Sequence, residues 1–408
     1  MCGIAGLATI DGVVPADEAL VDGMLRCLLH RGPDDLYQLG DPQAILGATR
    51  LSIIDVSGGR QPLTDESGTI IASQNGEVYD YVELRDELRR QGHTFRSDTD
   101  TEVIVHLYEE HGTRFAEHLR GMFAIAIWDG PRRRLVLARD RLGKKPLYWR
   151  LHAGRLSYGS ELKAILHDPT TPRDVDGDAL DHYLRYLYVP SPRTILRGIQ
   201  KLPPASVLVW EGGDPVIERY WEPAYAPKAA RPLAEDVEEA TQLLRDAVRL
   251  RLRSDVPLGA FLSGGMDSSV VTALMAQAMD RPVKTFSIGF DNQGFDELPY
   301  ARAVARHLGT DHHEERLSFD PVALLPELAD HYDEPSGDSS AVPTFRVAQV
   351  AARELKVVLT GDGGDESFGG YLRYVAQRSY DRLDAMPAPL VRGVMRAGRV
   401  ALAHRGHP

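Results

Sequence analysis

The chain has 408 residues, more than one hydrophobic core usually supports, so two domains are expected. Its 43% hydrophobic and 26% charged content is that of a soluble globular protein, and the net charge of -12 argues against a nucleic-acid backbone as partner. No apolar run approaches the roughly 20 residues that span a bilayer, and the start lacks a basic region and meets Asp11 early, so a cytoplasmic location is expected.

Two cysteines give no disulfide framework. Cys27 lies in "DEALVDGMLRCLLH", where Leu20, Met24, Cys27 and Leu28 recur at helical spacing, and reads as a buried core thiol. Cys2, in "MCGIAG", is different. Removing Met1 would leave it a thiol nucleophile that carries its own α-amine.

Up to about residue 220 the apolar runs read mostly as strands: "AILGATRLSII", "TIIASQNGEV", "MFAIAIWD", "RLVLARD" and "RLSYGSE". "AIAIWDGPRRRLVLA" is a hairpin signal. Helices are expected at "YVELRDELRRQG" and "TEVIVHLYEEHG", each closed by a glycine. This is an α+β pattern over residues 2–220. The proline-rich, aperiodic stretch at 221–235 reads as a linker. From 236 to 408 the order changes: an amphipathic helix at "VEEATQLLRDAVRLRL", then strands "PLGAFL", "VKTFSIGF", "HEERLSF" and "LKVVLT" alternating with helices. That rhythm predicts a doubly wound parallel sheet, whose ligands bind beyond the carboxyl ends of the strands.

Two loops stand at such ends. "SGGMDSS" (263–269) follows "GAFL" and opens a helix; its small residues and serine hydroxyls suit a phosphate, yet the lysine of a P-loop is absent. Asp267 puts a carboxylate where a metal ion would meet the phosphates. "TGDGGDES" (360–367) follows "KVVL" and offers Asp362, Asp365 and Glu366. Two carboxylate-bearing loops at neighbouring strand ends suit Mg²⁺ on a triphosphate better than plain glycine-rich turns.

"SGGMDSS" resembles the pyrophosphate loop of the ATP pyrophosphatases. Together with "MCGIAG", "HRGPDD", "RLSIIDVSGGRQPL", "NGEVYDY" and "SDTDTEVI", in that order, the chain resembles the glutamine-dependent asparagine synthetase family along essentially its whole length. The resemblance implies an N-terminal nucleophile hydrolase fold, a four-layered α/β sandwich, followed by an ATP-pyrophosphatase domain. It implies glutamine hydrolysis by Cys2, with the Asn75 side chain and the Gly76 backbone N–H as oxyanion donors. "NG" by itself reads as a hairpin turn. Arg50 would hold the glutamine α-carboxylate, and Glu77 and Asp100 its α-ammonium. In the second domain Leu262 and Ile288 would pack near adenine or ribose, and Thr360 and Gly361 would touch the nucleotide. Ser263, Gly264, Gly265, Ser268 and Ser269 would cradle pyrophosphate, with Asp267 and Asp365 on Mg²⁺. ATP would adenylate a carboxylic acid, and ammonia would displace AMP. A homodimer is the common assembly of such proteins.

A β-lactam synthetase-like ligase would have no use for Cys2, and a sulfur-transferring or tRNA-modifying pyrophosphatase would lack the glutaminase half. A silent binding subunit would not need Cys2, Arg50, Asn75 and Asp100 together. Two departures from the family remain. The chain stops at Pro408, where relatives continue and supply a lysine to the ATP site, so a partial synthetase domain is expected. The acceptor stretch "DEPSGDSSAVPTF" has Ser339 and Ser340, but Ala341 and Val342 where an aspartate-binding cation is expected, and Asp338 adds negative charge. Asp362 replaces a glutamate used in adenylate formation. Aspartate is the expected acceptor, with Arg346 as a substitute cation; a sugar, peptide or secondary-metabolite carboxylate is the alternative.

Overall fold

The computed structural model describes residues 2–228, 230–290, 296–317, 321–384, 387 and 389–391. The first sheet holds β1 (Gly3–Thr9), β2 (Asp35–Asp41), β3 (Ala44–Arg50), β8 (Tyr148–His152), β9 (Arg155–Gly159) and β10 (Gln200–Lys201). The second holds β4 (Leu63–Thr64), β5 (Ile70–Val78), β6 (Gly121–Asp129), β7 (Arg134–Arg139), β11 (Ser206–Trp210) and β12 (Val216–Arg219). Their orders are β10-β8-β9-β1-β3-β2 and β12-β11-β7-β6-β5-β4, with every pairing antiparallel.

Side-chain alternation along these strands builds two faces per sheet. Ile4 and Ala8 of β1, Leu46 and Ala48 of β3, Ile71 of β5 and Trp128 of β6 share one core between the sheets. Ala5 and Leu7 instead pack outward with Val21, Met24 and Leu25 of α1 (Pro15–Arg26). On the far side, Ala72 and Val78 of β5 pack with Leu88 of α2 (Tyr81–Gln91) and Val103 of α3 (Glu102–His111). The result is the four-layer α-β-β-α sandwich. Trp128, Trp210 and Tyr158 are fully buried in it, and each such side chain stabilises by about 1.5–3 kcal/mol. Buried indole nitrogens need acceptors, and Trp128 donates to Asp41 at 2.6 Å across the two sheets.

Two short helices, α4 (Leu162–Ile165) and α5 (Gly177–Tyr186), complete this half. Helix α6 (Leu233–Arg251) starts inside the stretch that reads as linker, because Pro232 precedes it and Glu235 and Asp236 favour its first turn. The second half is a parallel sheet of β13 (Leu258–Phe261), β14 (Lys284–Phe290), β15 (Asp311–Leu317) and β16 (Val357–Leu359), in the order β15-β14-β13-β16. Helices α7 (Met266–Ala278), α8 (Leu298–Leu308), α9 (Pro321–Tyr332) and α10 (Ala341–Ala351) make the crossovers. After β16 come α11 (Gly364–Phe368) and α12 (Leu372–Asp384). The strand order reverses between β13 and β16, so the crevice of this doubly wound sheet opens there.

One expectation changes. Cys27 is not a core thiol: α1 ends at Arg26, leaving Cys27 half-buried at the helix end with its sulfur 3.9 Å from His167 Nδ1. The run "TIIASQNGEV" is strand as read, with Asn75 and Gly76 inside β5 and paired with Ala124 and Phe123 of β6. Among the described residues no helix is long and apolar enough to cross a membrane.

Candidate active site

Cys2 directly precedes β1, which is hydrogen-bonded between β3 and β9. Three backbone groups around it are tied down. The Arg31 Nε–H donates to the Cys2 carbonyl at 3.0 Å, Gly3 N–H to Thr49 Oγ1 at 3.1 Å, and Ile4 N–H to Ser160 Oγ at 2.9 Å. Arg31 is fixed in turn by Glu161 at 2.7 Å. Against the upward push of burial, His30, Arg31 and Lys163 hold Glu161 at about 2, so this anchor stays ionised near neutral pH. The Cys2 side chain is buried with its thiol 3.9 Å from the Leu51 carbonyl. Burial pushes the thiol up, and the positive chain terminus pulls it back.

Ser160 also joins Cys2's strand to β5, because Asn75 Nδ2 donates to the same hydroxyl at 3.5 Å. The Asn75 Oδ1 is buried and has no partner among the described residues. Gly76 has to be glycine: a Cβ there would run into the Met122 carbonyl and lie 2.7 Å from Phe123 Cα. Glu77 follows, half-buried. Asp100, fully buried just before α3, accepts from Val78 N–H at 2.8 Å, Gln74 Nε2 at 3.3 Å and Thr99 Oγ1 at 3.3 Å. Burial raises both carboxyls, and Asp100 pushes Glu77 up further. Two adjacent acids that resist ionising together suit a cationic ligand.

Arg50 ends β3. The run "AILGATRLSII" stops being strand there because the chain curls to present carbonyls to the guanidinium: Ile54 at 2.9 Å, Asp55 at 2.6 Å and Val56 at 3.3 Å. Sequence reasoning missed Arg31, Thr49, Ser160, Glu161 and Lys145. Burial, then the Arg31 charge, lowers Lys145 to about 8, while Glu77, Asp140 and Cys2 pull the other way. The "HRGPDD" string could have pointed to Arg31; nothing in the spacing marks the others.

In the second half, β13 runs into a loop closed on itself. Ser263 and Ser268 hydroxyls lie 2.9 Å apart, Gly265 N–H donates to Ser263 Oγ at 3.2 Å, and Ser269 Oγ donates to the Gly265 carbonyl at 2.6 Å. Gly264 has φ +80°, a region other residues rarely adopt, and a Cβ there would meet Ala301 N at 2.5 Å. The second loop packs directly against the first: a Cβ on Gly361 would touch Ser268 N at 2.7 Å, and one on Gly364 would collide with the Asp267 carboxylate. Asp365 is the next residue. Asp267 and Asp365 are half-buried, and their carboxylates have no hydrogen-bond or ion-pair partner among the described residues. That donor set fits Mg²⁺, which takes few carboxylates and keeps waters. Thr360 Oγ1 donates to Asp362 at 2.9 Å on the exposed rim.

Leu262 directly follows β13, and Ile288 lies in the neighbouring β14. Leu262 is buried against Ala301 and Ala305, its N–H donating to the Phe286 carbonyl at 3.0 Å and its own carbonyl accepting from Ser287. Ile288 packs on the cluster of Phe286, Val347 and Leu355. Arg346, the substitute cation of the acceptor stretch, bonds Gln349 at 2.6 Å.

A sandwich of antiparallel sheets with a cysteine heading its inner strand, joined to a parallel sheet with paired loops at its switch point, defines a class: an N-terminal-nucleophile glutamine amidotransferase fused to an ATP-pyrophosphatase domain. Residues 1–221 match the glutamine amidotransferase domain family and residues 239–406 the asparagine synthase family. The chain is 36% identical to asparagine synthetase (glutamine-hydrolyzing) 1 of Bacillus subtilis, over 98% of this chain and 63% of that protein. It is 38% identical to a putative asparagine synthetase (glutamine-hydrolyzing) of Mycobacterium bovis, over 100% of this chain and 67% of that one. It is 34% identical to the amidase chry2 of Gibberella zeae, over 91% and 59%. The chain belongs to the glutamine-hydrolysing asparagine synthetase family, and spans about two thirds of the length of the first two of these relatives.

Proposed function

We propose that this chain hydrolyses glutamine at Cys2 and passes the ammonia to a carboxylic acid adenylated in the second domain, with aspartate as the acceptor. The observation that carries the reading is the Ser160 hydroxyl, which draws Asn75 to the strand that Cys2 heads, beside the Glu77–Asp100 pair. With Met1 removed, the α-amine of Cys2 takes the thiol proton; its ordinary pKa of about 7.7–8.0 suits that task. The thiolate adds to the side-chain amide carbon of glutamine. Asn75 Nδ2–H and Gly76 N–H donate to the oxyanion. Collapse returns the proton to the leaving nitrogen and releases ammonia, and water then cleaves the thioester to glutamate. Arg50 holds the α-carboxylate, and Glu77 and Asp100 hold the α-ammonium.

In the second domain Ser263, Gly264, Gly265, Ser268 and Ser269 receive the pyrophosphate of ATP, with Thr360 and Gly361 beside the nucleotide. Leu262 and Ile288 shape the wall there from behind, through the strands they anchor. Asp267 and Asp365 would hold Mg²⁺, whose charge stabilises the departing pyrophosphate. Asp362 stands at the rim, next to the acceptor. The acceptor carboxylate attacks the α-phosphorus, pyrophosphate leaves, and ammonia displaces AMP to give the amide.

A second reading has specific support. Asp338, Ala341 and Val342 offer no cation for an aspartate α-carboxylate, Arg346 is engaged by Gln349, and one relative is named an amidase. On that reading the acceptor is a carboxylate on a sugar, peptide or secondary metabolite. Cys2→Ala should abolish glutamine hydrolysis; retained hydrolysis overturns the first half of the proposal. Pyrophosphate release measured over a panel of carboxylic acids decides between acceptors. Release with aspartate supports asparagine synthesis, and release only with other acids supports the second reading.

A further inference from the structure

Outside both sites, four side chains converge on the outer helical layer of the first half. Glu66 lies in the turn after β4, His93 just beyond α2, and His106 and Glu109 one helical turn apart on α3. One ligand atom from each lies within 4.8 Å of all the others. His106 Nδ1 is 3.0 Å from Glu109 Oε2 and 3.5 Å from Glu66 Oε2. His93 Nδ1 is 3.5 Å from the same Glu109 oxygen and 3.9 Å from Glu66 Oε1. Four ligands at about 2.0–2.1 Å from a tetrahedral ion stand about 3.3–3.4 Å apart, so these gaps are already near the edge length of a zinc site.

Two further features go beyond an acidic cluster. The His93 Nε2 faces Glu110 Oε1 at 2.9 Å. A carboxylate on the outer ring nitrogen puts the proton there and turns the Nδ1 lone pair inward, as metal-bound histidines require. His106 is the second: its side chain is 1% exposed, and its Nδ1 is turned to the carboxylates of Glu109 and Glu66, so a buried imidazole offers the cluster one inward-facing nitrogen. Glu66, Glu109 and Glu110 also outnumber the two imidazoles, leaving negative charge that a dication would balance.

We propose that Glu66, His93, His106 and Glu109 form a structural Zn²⁺ site, with Glu110 as the carboxylate that orients His93. The ion would staple the Glu66 turn and the end of α2 to α3, the helix that Asp100 leads into. Strand alternation puts Asn75 with Ile71, facing between the sheets, whereas α3 packs on the opposite face of β5. The site is thus separate from the Cys2 chemistry.

The test uses the 408-residue chain carrying Cys2→Ala and Cys27→Ser, so that no thiol competes. After stripping with a chelator, the protein is titrated with Zn²⁺ against a chromogenic competitor. The expected result is one equivalent bound with sub-micromolar affinity and a rise in Tm. Co²⁺ in its place should give the intense visible bands of a tetrahedral site. His93→Gln should weaken binding at least tenfold, and Glu110→Gln about 10–100-fold. Both side chains are near the surface, so the fold should survive, which circular dichroism checks. Absence of a tight equivalent in the parent, or binding indifferent to both variants, overturns the proposal.

Discussion

Asp55 and Asp255 lock the two halves together by a pair of backbone-centred hydrogen bonds. The Asp55 N–H donates to Asp255 Oδ2 at 2.7 Å, and the Asp255 N–H returns one to the Ile53 carbonyl at 3.0 Å. Asp55 is also the hub of the loop around Arg50. Its carbonyl accepts from the Arg50 guanidinium, and its carboxylate accepts from Gly58 N–H at 2.8 Å and Asp98 N–H at 2.9 Å. Arg253 adds a second tie, reaching Glu83 and the Tyr79 carbonyl at 2.6 and 2.7 Å, and Lys356 a third, to Asp34 at 2.6 Å. The second half therefore grips the segments around Arg50 and α2 of the first.

We predict that Asp255→Ala raises the KM for glutamine about fivefold, the equivalent of losing about 1 kcal/mol of hydrogen bonding. Its kcat should change little, because Cys2 is anchored independently by Arg31, Thr49 and Ser160. Asp255→Asn keeps an acceptor and should stay near the parent. Steady-state glutaminase kinetics check this; an unchanged KM in the alanine variant removes the coupling.

Glu77 yields a prediction with opposite signs for binding and stability. Its pKa is raised by burial and by Asp100, so the folded state holds a proton that the unfolded chain releases at lower pH. The native state then loses stability as pH rises from the ordinary carboxylate range toward the raised value. Glu77→Gln removes that loss. Its Tm should exceed the parent's above the carboxylate range and match it in acid. If Glu77 holds the substrate ammonium as proposed, the same change should raise KM about 10–100-fold, as a charged hydrogen bond of about 1.5–3 kcal/mol implies. Calorimetric scans across pH with parallel kinetics test both signs, and a Tm gain that persists unchanged in acid contradicts the assignment.

Much of this was legible in the sequence, for reasons that differ by residue. The run "TIIASQNGEV" is readable because its apolar residues favour a strand, and β5 (Ile70–Val78) follows it. The loops after β13 and β16 are readable because strand-to-helix turns carry local chemistry. The strand "GIAGLAT" was not, since its small residues lack β propensity and become strand only by lying between β3 and β9. Nor was the pairing of Arg31 with the Cys2 carbonyl, which spans 29 residues and depends on how α1 ends over the sheet. By itself Asn-Gly favours a turn, and pairing with β6 overrides that preference.

Lys145 supplies a pH signature. It is the buried cation beside Glu77 and Cys2, and burial lowers it to about 8. Below that pH its charge favours the Cys2 thiolate; above it the residue is neutral and contributes little. Lys145→Met should therefore cost about tenfold in glutaminase kcat/KM near pH 7, the size of one pKa unit, and progressively less above pH 8. The acid limb of the profile should move to higher pH. A loss of equal size at every pH would mean that Lys145 only fills space.

The last prediction concerns the paired loops of the second half. Gly364 packs against the Asp267 carboxylate, which brings the loop that carries Asp365 against the first loop at the switch point of the sheet. Neither carboxylate has a hydrogen-bond or ion-pair partner among the described residues. If they share Mg²⁺ with ATP, Asp267→Asn and Asp365→Asn should each weaken Mg²⁺–ATP binding at least tenfold, read by calorimetry on the 408-residue chain. ATP without the metal should bind the variants no worse than the parent, because removing a negative charge lessens repulsion of the phosphates. Glutaminase kcat/KM should stay within about twofold, since Cys2 and Arg50 keep every contact, a spread of under about 0.5 kcal/mol. Equal loss of metal-free and metal-bound ATP would show instead that the two aspartates shape the loops and hold no ion.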